Sequence, residues 1–310
     1  MKKICIVGSS GLLGNKLIQM SGKYDVIGTI HQTKTDQSEI KFIPMDITKF
    51  DSCEYLLKIK PDYIINTAAI TDVDYCEKFQ KKSYLVNVTG VKNLIKIANK
   101  LECKFIHISS DGIFSGRKEL YKEDDEANPV NYYGKTKLES ENEVKILDDY
   151  LIFRTNLLYG YMSKNQTGTR SEYLKPTNFV LWILSELNKK TKLKIVNDQF
   201  SNPTLVDNLS RSIFNSIEKN LIGTFHVTDT TCISRFDFAK KIAQKFGFST
   251  ELISEITSKN LQQFAMRPSK TCLDYSKIQK TGIHLHSIDE SLDNLFEQIK
   301  KKDPSMISSN

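Results

Sequence analysis

The chain has 310 residues, 39% hydrophobic and 26% charged, with 7 prolines and 14 glycines, which excludes collagen-like, low-complexity and wholly disordered classes. At roughly 150 residues per domain, that length accommodates two domains or one large α/β unit with an appended lobe. Lys and Arg number 44 against 37 Asp and Glu, and this formal charge of +7, mixed in sign along the chain, favours anionic partners without choosing among nucleic acid, anionic lipid and phosphorylated metabolites.

Over residues 1–155 short apolar runs alternate with helical patterns, as βα units do when they build a parallel sheet covered on both faces. Strands are predicted at Ile4–Val7, Val26–Ile30, Ile40–Ile43, Tyr63–Asn66, Phe105–Ser109 and Leu151–Arg154, all short and apolar. Leu12, Leu13, Leu17 and Ile18 share a helix face, and Lys81–Leu101 carries Leu85, Val88, Val91, Leu94, Ile95 and Ala98 at helical spacing. Tyr161–Pro176 is polar and reads as a lobe boundary or lid before a helix at Phe179–Leu187. A strand at Leu193–Val196, a polar turn at Asn197–Pro203, a helix at Val206–Ile217, a strand near Thr224–Val227 and a helix at Phe236–Phe246 follow. The Lys300–Lys302 run and the Ser/Asn-rich end predict a solvated, frayed tail.

Cys5, Cys53, Cys76, Cys103, Cys232 and Cys272 are far apart and form no metal-ligand spacing, so neither disulfides nor a metal site is expected. Gly8, Gly11 and Gly14 interrupt the first apolar run before it resembles a cleaved leader, and no stretch approaches about 18 apolar residues. The expectation is a reduced, cytoplasmic protein.

Three motifs carry chemistry. The first is Gly8-Ser9-Ser10-Gly11-Leu12-Leu13-Gly14, placed between the first strand and first helix. Gly8 permits a tight turn, Gly11 lets the backbone approach a pyrophosphate, and Gly14 permits close helix–sheet contact, while helix amides face the anion. The ordinary alternative is a glycine-rich turn with no ligand. The second strand is followed by His31, Gln32 and Lys34, with no carboxylate until Asp36, an arrangement that accommodates a 2′-phosphate and favours NADP(H) over NAD(H). His31 and Lys34 also read as plain loop residues.

Tyr133 and Lys137 are four residues apart in a helical pattern and share a face. A phenol of pKa near 10 becomes a useful acid–base group beside an ammonium that stabilises its phenolate. About 23 residues upstream, the strand Phe105–Ser109 runs into Ser110, Asp111 and Gly112, where a hydroxyl could bond a substrate carbonyl at the carboxyl end of a sheet strand. A helix cap or a turn is the plainer reading of Ser110 and Asp111.

With these motifs in order, the chain resembles the extended short-chain dehydrogenase/reductases, and among them the dTDP-4-dehydrorhamnose reductase group. The resemblance also includes Met45-Asp46-Ile47-Thr48, Ile65-Asn66-Thr67-Ala68-Ala69, Val86-Asn87-Val88, Phe153-Arg154-Thr155, Asn197-Asp198-Gln199, Pro203-Thr204 and Arg267-Pro268. It implies a Rossmann-like doubly wound parallel sheet with a smaller C-terminal α/β substrate lobe. The cofactor domain would cover 1–158 with returns near 190–228, the substrate lobe 159–189 and 229–300, and a flexible tail 301–310.

The resemblance places Ser110, Tyr133 and Lys137 as the catalytic set. Asp46 and Ile47 would lie beside adenine, and Ala68 and Ala69 would line the cofactor cleft. Asn87 would support the sheet end. Thr71, Val73, Asp74 and Asp111 would lie near the sugar, and Arg267 would meet the sugar nucleotide's diphosphate or make a surface ion pair. Gly112 departs from the tyrosine usual in this group, which leaves the sugar open. The implied activity is NADPH-dependent reduction of the 4-keto group of a nucleotide-activated 6-deoxysugar, giving dTDP-L-rhamnose. A regulatory dinucleotide-binding subunit, or a nucleotide-sugar epimerase or dehydratase, is the alternative. The partner is the nucleotide sugar, with a homodimer as the candidate assembly and with neither nucleic acid nor membrane.

Overall fold

The computed structural model describes residues 1–31, 40–162 and 178–308. Its frame is a seven-stranded parallel sheet. The first six strands are β1 (Lys3–Val7), β2 (Asp25–Ile30), β3 (Lys41–Pro44), β4 (Tyr63–Asn66), β5 (Lys104–Ser110) and β6 (Tyr150–Thr155), and Gly223–His226 is the seventh. Their spatial order is Gly223–His226, β6, β5, β4, β1, β2, β3, the doubly wound order expected from the sequence. The order reverses between β1 and β4, and all seven strands end on one edge.

Side chains alternate between the two faces of these strands. Ile4 and Ile6 of β1 join a core with the helices Leu12–Met20 and Val206–Glu218, whereas Cys5 and Val7 join another with the helix Gly90–Leu101. Both faces are therefore dry, which is why the strands read as continuous apolar runs. A third core gathers the helices Phe179–Asn188, Arg235–Lys245 and Ile288–Lys302 around the strand Leu193–Val196, which pairs in parallel with Ile253–Ile256.

Three details differ from the sequence reading. The single helix expected over Lys81–Leu101 is broken by a π-helical segment at Leu85–Thr89, which the unbroken apolar periodicity hides. In place of a frayed end, Lys300–Lys302 form the last turn of a helix, and Met306 and Ile307 pack on the third core. Cys232 and Cys272 are bonded as a disulfide, with Cα atoms 5.7 Å apart, which corrects the expectation of unpaired thiols. A sequence separation of 40 carries no pairing signal, because the fold alone brings the two cysteines together. Among the described residues, no helix is long and apolar enough to cross a membrane. The polar segment expected to be a boundary or lid lies, after Met162, outside the described residues.

Candidate active site at the carboxyl edge of the sheet

The chain leaves β1 through Gly8, whose φ of +80° is one that side-chain-bearing residues rarely adopt. A Cβ there would lie 2.8 Å from the Ala68 amide nitrogen, and one at Gly14 would lie 2.5 Å from the Gly8 carbonyl oxygen. The loop is thus bare backbone pressed against the end of β4. The helix that follows starts from Gly11, with no side-chain cap and no acidic residue in its first turn, so its amides face outward as anion donors. This cradle fits a dinucleotide pyrophosphate. Ser10, Gly11 and Leu12 are half-buried beside it, and Leu13 packs into the core.

The neighbouring strand ends supply the rest of this edge. Asn66 accepts a hydrogen bond from the Ala68 amide at 3.1 Å, and Ala68 and Ala69 are half-buried. Asp46 lies 3.8 Å from His31 Nε2. Burial works against the Asp46 charge, but the Thr48 hydroxyl and amide, with His31 and Lys49, outweigh it and hold the carboxyl below its ordinary range. Ile47 is turned into the core, where it fills the space over Gly90. Lys34 lies outside the described residues.

Ser110 ends β5. Its Oγ accepts from the Gly112 amide and donates to Asp111 Oδ1, each at 3.0 Å, while Thr271 donates to Asp111 Oδ2 at 2.5 Å. Burial pushes the Asp111 carboxyl up against these hydrogen bonds. Tyr133 sits in the first turn of the helix Tyr132–Val144, which is capped by Asn131 accepting from the Gly134 amide at 2.9 Å. Asn131 also donates to the Met266 carbonyl at 2.9 Å, tying this helix to the Arg267 segment. One turn on, Lys137 donates to the Ile108 carbonyl at 2.5 Å.

The spacing of Tyr133 and Lys137 predicts a lowered phenol pKa; the structure reverses this. Burial dominates and pushes the Tyr133 phenol above 10, although its hydrogen bond with Ser110 pulls the other way. The phenol therefore holds its proton at neutral pH and can serve as an acid. Burial lowers Lys137 to about 8 against the charge of Glu141, so the group still carries its proton at neutral pH. Asn87, in the π segment, accepts from the Ile70 amide at 2.8 Å and donates to Thr136 at 3.1 Å, joining the loop after β4 to the Tyr133 helix.

A cleft of about 120 Å³ opens here, lined among others by Val73, Ser110, Asp111, Tyr133, Arg235 and Arg267. Asp74 pairs with Arg267 at 3.0 Å, and Thr71 is exposed outside that lining. A Cβ at position 112 would stand 3.3 Å from Ser110 Oγ and 3.4 Å from the Tyr133 ring, so glycine leaves that wall open. Gln199, Arg235 and Thr271 also line the cleft; Gln199 falls in the Asn197-Asp198-Gln199 stretch of the resemblance, which assigned it no role, and no motif marks Arg235 or Thr271. Outside it, His284, His286 and Glu290 place ligand atoms within 4.8 Å of one another, but Arg211 Nη1 stands 3.1 Å from His286 Nε2, a cation where a metal would need the imidazole.

Residues 1–301 match the family model described as the RmlD substrate binding domain. The chain belongs to that family. A dTDP-4-dehydrorhamnose reductase of Aggregatibacter actinomycetemcomitans is 31% identical over 313 aligned positions, covering 95% of this chain and 98% of the relative. A Clostridium acetobutylicum crystal structure described as a dTDP-4-dehydrorhamnose reductase superposes with a TM-score of 0.81 at 31% identity, covering 96% of this chain and 99% of the other. The Bacillus anthracis dTDP-4-dehydrorhamnose reductase, solved in complex with NADP, gives 0.84 at 28% identity, covering 96% and 100%. Family membership and the Rossmann-like fold accord with the expectation drawn from the motifs.

Proposed function

We propose that the chain is an NADPH-dependent reductase of a nucleotide-linked 4-keto-6-deoxysugar, converting dTDP-4-dehydro-L-rhamnose to dTDP-L-rhamnose. The observation that carries this reading is the meeting of Ser110 and a protonated Tyr133 in one cleft at the sheet edge that also bears the glycine cradle. The relatives named as reductases of this sugar, one of them holding NADP, support it.

The dinucleotide, when bound, supplies the hydride that the sugar's C4 accepts. Gly8 to Gly14 would hold its pyrophosphate on backbone amides, and Ala68 and Ala69 would leave room beside it. Ser110 would turn its hydroxyl proton from Asp111 toward the ketone oxygen, and Tyr133 would give its O–H proton to that oxygen as negative charge develops. Lys137, one helical turn from Tyr133 and bonded to the Ile108 carbonyl, would supply positive charge to the site as the phenolate forms and would reach a ribose hydroxyl. His31 at the end of β2 favours the 2′-phosphate of NADP(H), with NAD(H) the weaker alternative.

The experiment is NADPH oxidation with the keto-sugar. Tyr133→Phe is expected to lower kcat by about 10²- to 10⁴-fold while NADPH binding persists. Undiminished turnover would remove Tyr133 as the acid, and cofactor binding without turnover on any 4-keto sugar nucleotide would favour a regulatory subunit instead.

A further inference from the structure

Arg235 begins the helix Arg235–Lys245 and lines the same cleft as Ser110, Tyr133 and Arg267. Its guanidinium carbon lies 5.5 Å from the centroid of the Phe179 ring, and Phe179 stacks on the buried Phe238 at 5.8 Å. The side chain is therefore held on an aromatic platform anchored in the third core. Its backbone amide donates to the Gln199 carbonyl at 3.0 Å. Among the described residues, no carboxylate lies within 4 Å of the guanidinium and no acceptor takes a hydrogen bond from it.

The other charges of the cleft are already answered. Arg267 pairs with Asp74 at 3.0 Å and donates to the Ala265 carbonyl at 2.9 Å. The two oxygens of Asp111 are taken by the Ser110 and Thr271 hydroxyls. Among the described residues the five N–H donors of Arg235 meet no hydrogen-bond acceptor; burial lowers its pKa to about 10, with the charge of Asp111 opposing and that of Arg267 adding to the shift, and it remains a cation at neutral pH. A partly desolvated guanidinium whose N–H groups make no hydrogen bond is costly, and an entering oxyanion that accepts from them removes that cost.

The geometry points to Arg235 as a second guanidinium, beside Arg267, that grips the diphosphate bridge of the nucleotide sugar and so sets affinity for the nucleotide part of the substrate rather than for its ketone. A planar fork fixed on an aromatic ring suits bidentate phosphate contact better than a mobile ammonium would. Ser110 and Tyr133 claim the reacting carbonyl, which leaves the diphosphate as the substrate's anion. This inference rests on the nucleotide-sugar reading proposed above.

The test is titration calorimetry with thymidine diphosphate, uridine diphosphate and, separately, NADPH on the full chain. Arg235→Met is expected to weaken both nucleoside diphosphates by about 10- to 100-fold, with NADPH affinity unchanged and with KM for the keto-sugar rising more than kcat falls. Arg235→Lys should retain part of the affinity, and serves alone if the methionine variant does not fold, a loss of threefold or more then supporting the assignment. Nucleoside diphosphate affinity within twofold of wild type in the folded variants overturns it, as does a wild-type protein that binds no nucleoside diphosphate. Weakened binding in Arg235→Met, together with no turnover of any 4-keto sugar by wild type, would leave Arg235 in place and remove the reductase reading.

Discussion

The ammonium of Lys137 lies 3.4 Å from Nε2 of His107, beneath the Tyr133 helix. Asn66 Nδ2 stands 3.3 Å from His107 Nδ1, and because Asn66 Oδ1 accepts from Ala68, its amide is oriented to donate. His107 Nδ1 is then the acceptor and Nε2 carries the hydrogen, which goes to Ser140 Oγ at 3.0 Å, while Ser140 donates in turn to the Lys137 carbonyl. Burial and the adjacent ammonium keep the imidazole neutral. A neutral ring thus spaces the lysine from the strand end that borders the cofactor cradle.

If Lys137 acts as proposed, this placement is expected to give the reaction an alkaline limb. Burial lowers Lys137 to about 8, so its positive charge is present below that pH and disappears above it. The reductive kcat/KM is expected to fall as pH rises through about 8, and Lys137→Met should be slower at every pH, by about 10²-fold, without that limb. A pH–rate series on both proteins checks it; a wild-type profile flat to pH 10 would contradict the role given to the ammonium.

Gly8 combines a left-handed φ of +80° with a hypothetical Cβ only 2.8 Å from backbone at Ala68. Neither strain can be relieved by turning a side chain. Gly8→Ala is expected to cost about 1–3 kcal/mol of stability and to weaken NADPH by more than tenfold, because the cradle and the end of β4 must separate. Thermal melting and NADPH titration measure the two effects, and an unaltered NADPH affinity would show that the loop is not the pyrophosphate site.

The frame was legible because its strands are buried on both sides, as Ile4, Cys5, Ile6 and Val7 show: every buried position of β1 is apolar, and such runs stand out. Ser110, Tyr133 and Lys137 stand out in the sequence as candidates because one strand end and one helical turn carry them. The π segment around Asn87 was not, since apolar residues continue through it at helical spacing. Arg235 and Thr271 reach the cleft from distant segments, Thr271 bonding Asp111 across 160 positions, and no local pattern marks either one. The Tyr133 pKa was misread because spacing reports the neighbouring lysine and is silent about burial.

Asp229 is fully buried among Asn208, which donates to it at 2.9 Å, Tyr159 at 3.3 Å and the Leu205 amide at 3.4 Å. Burial outweighs these bonds and raises its pKa to about 7. The folded-state pKa exceeds the unfolded one, so the folded chain binds more protons between about pH 4 and 7, and this group's contribution to stability is lost as pH rises through 7. Asp229→Asn is expected to flatten that part of the profile, so that the variant loses about 1–3 kcal/mol less than wild type between pH 5 and 8. Urea unfolding at the two pH values decides it; identical slopes in both proteins would place the titration elsewhere.

The disulfide joins the two segments that carry Arg235 and Thr271. Cys232 is exposed and is followed by Ile233, Ser234 and Arg235, whereas Cys272 is buried, follows Thr271, and accepts a hydrogen bond at its carbonyl from the Tyr121 amide at 2.8 Å. Closing a loop of 40 residues restricts the unfolded chain, so reduction or Cys232→Ser is expected to cost about 2–4 kcal/mol. The loss should fall on the cleft wall rather than on the glycine cradle, because the bond joins the segments that carry Arg235 and Thr271, which line the cleft. Melting with and without dithiothreitol should differ for wild type and coincide for Cys232→Ser, with KM for the keto-sugar raised and NADPH affinity kept in both reduced forms. Reducing cellular compartments hold most thiols open, so both states merit assay, and equal wild-type melting in the two buffers would mean that the bond does not contribute to stability.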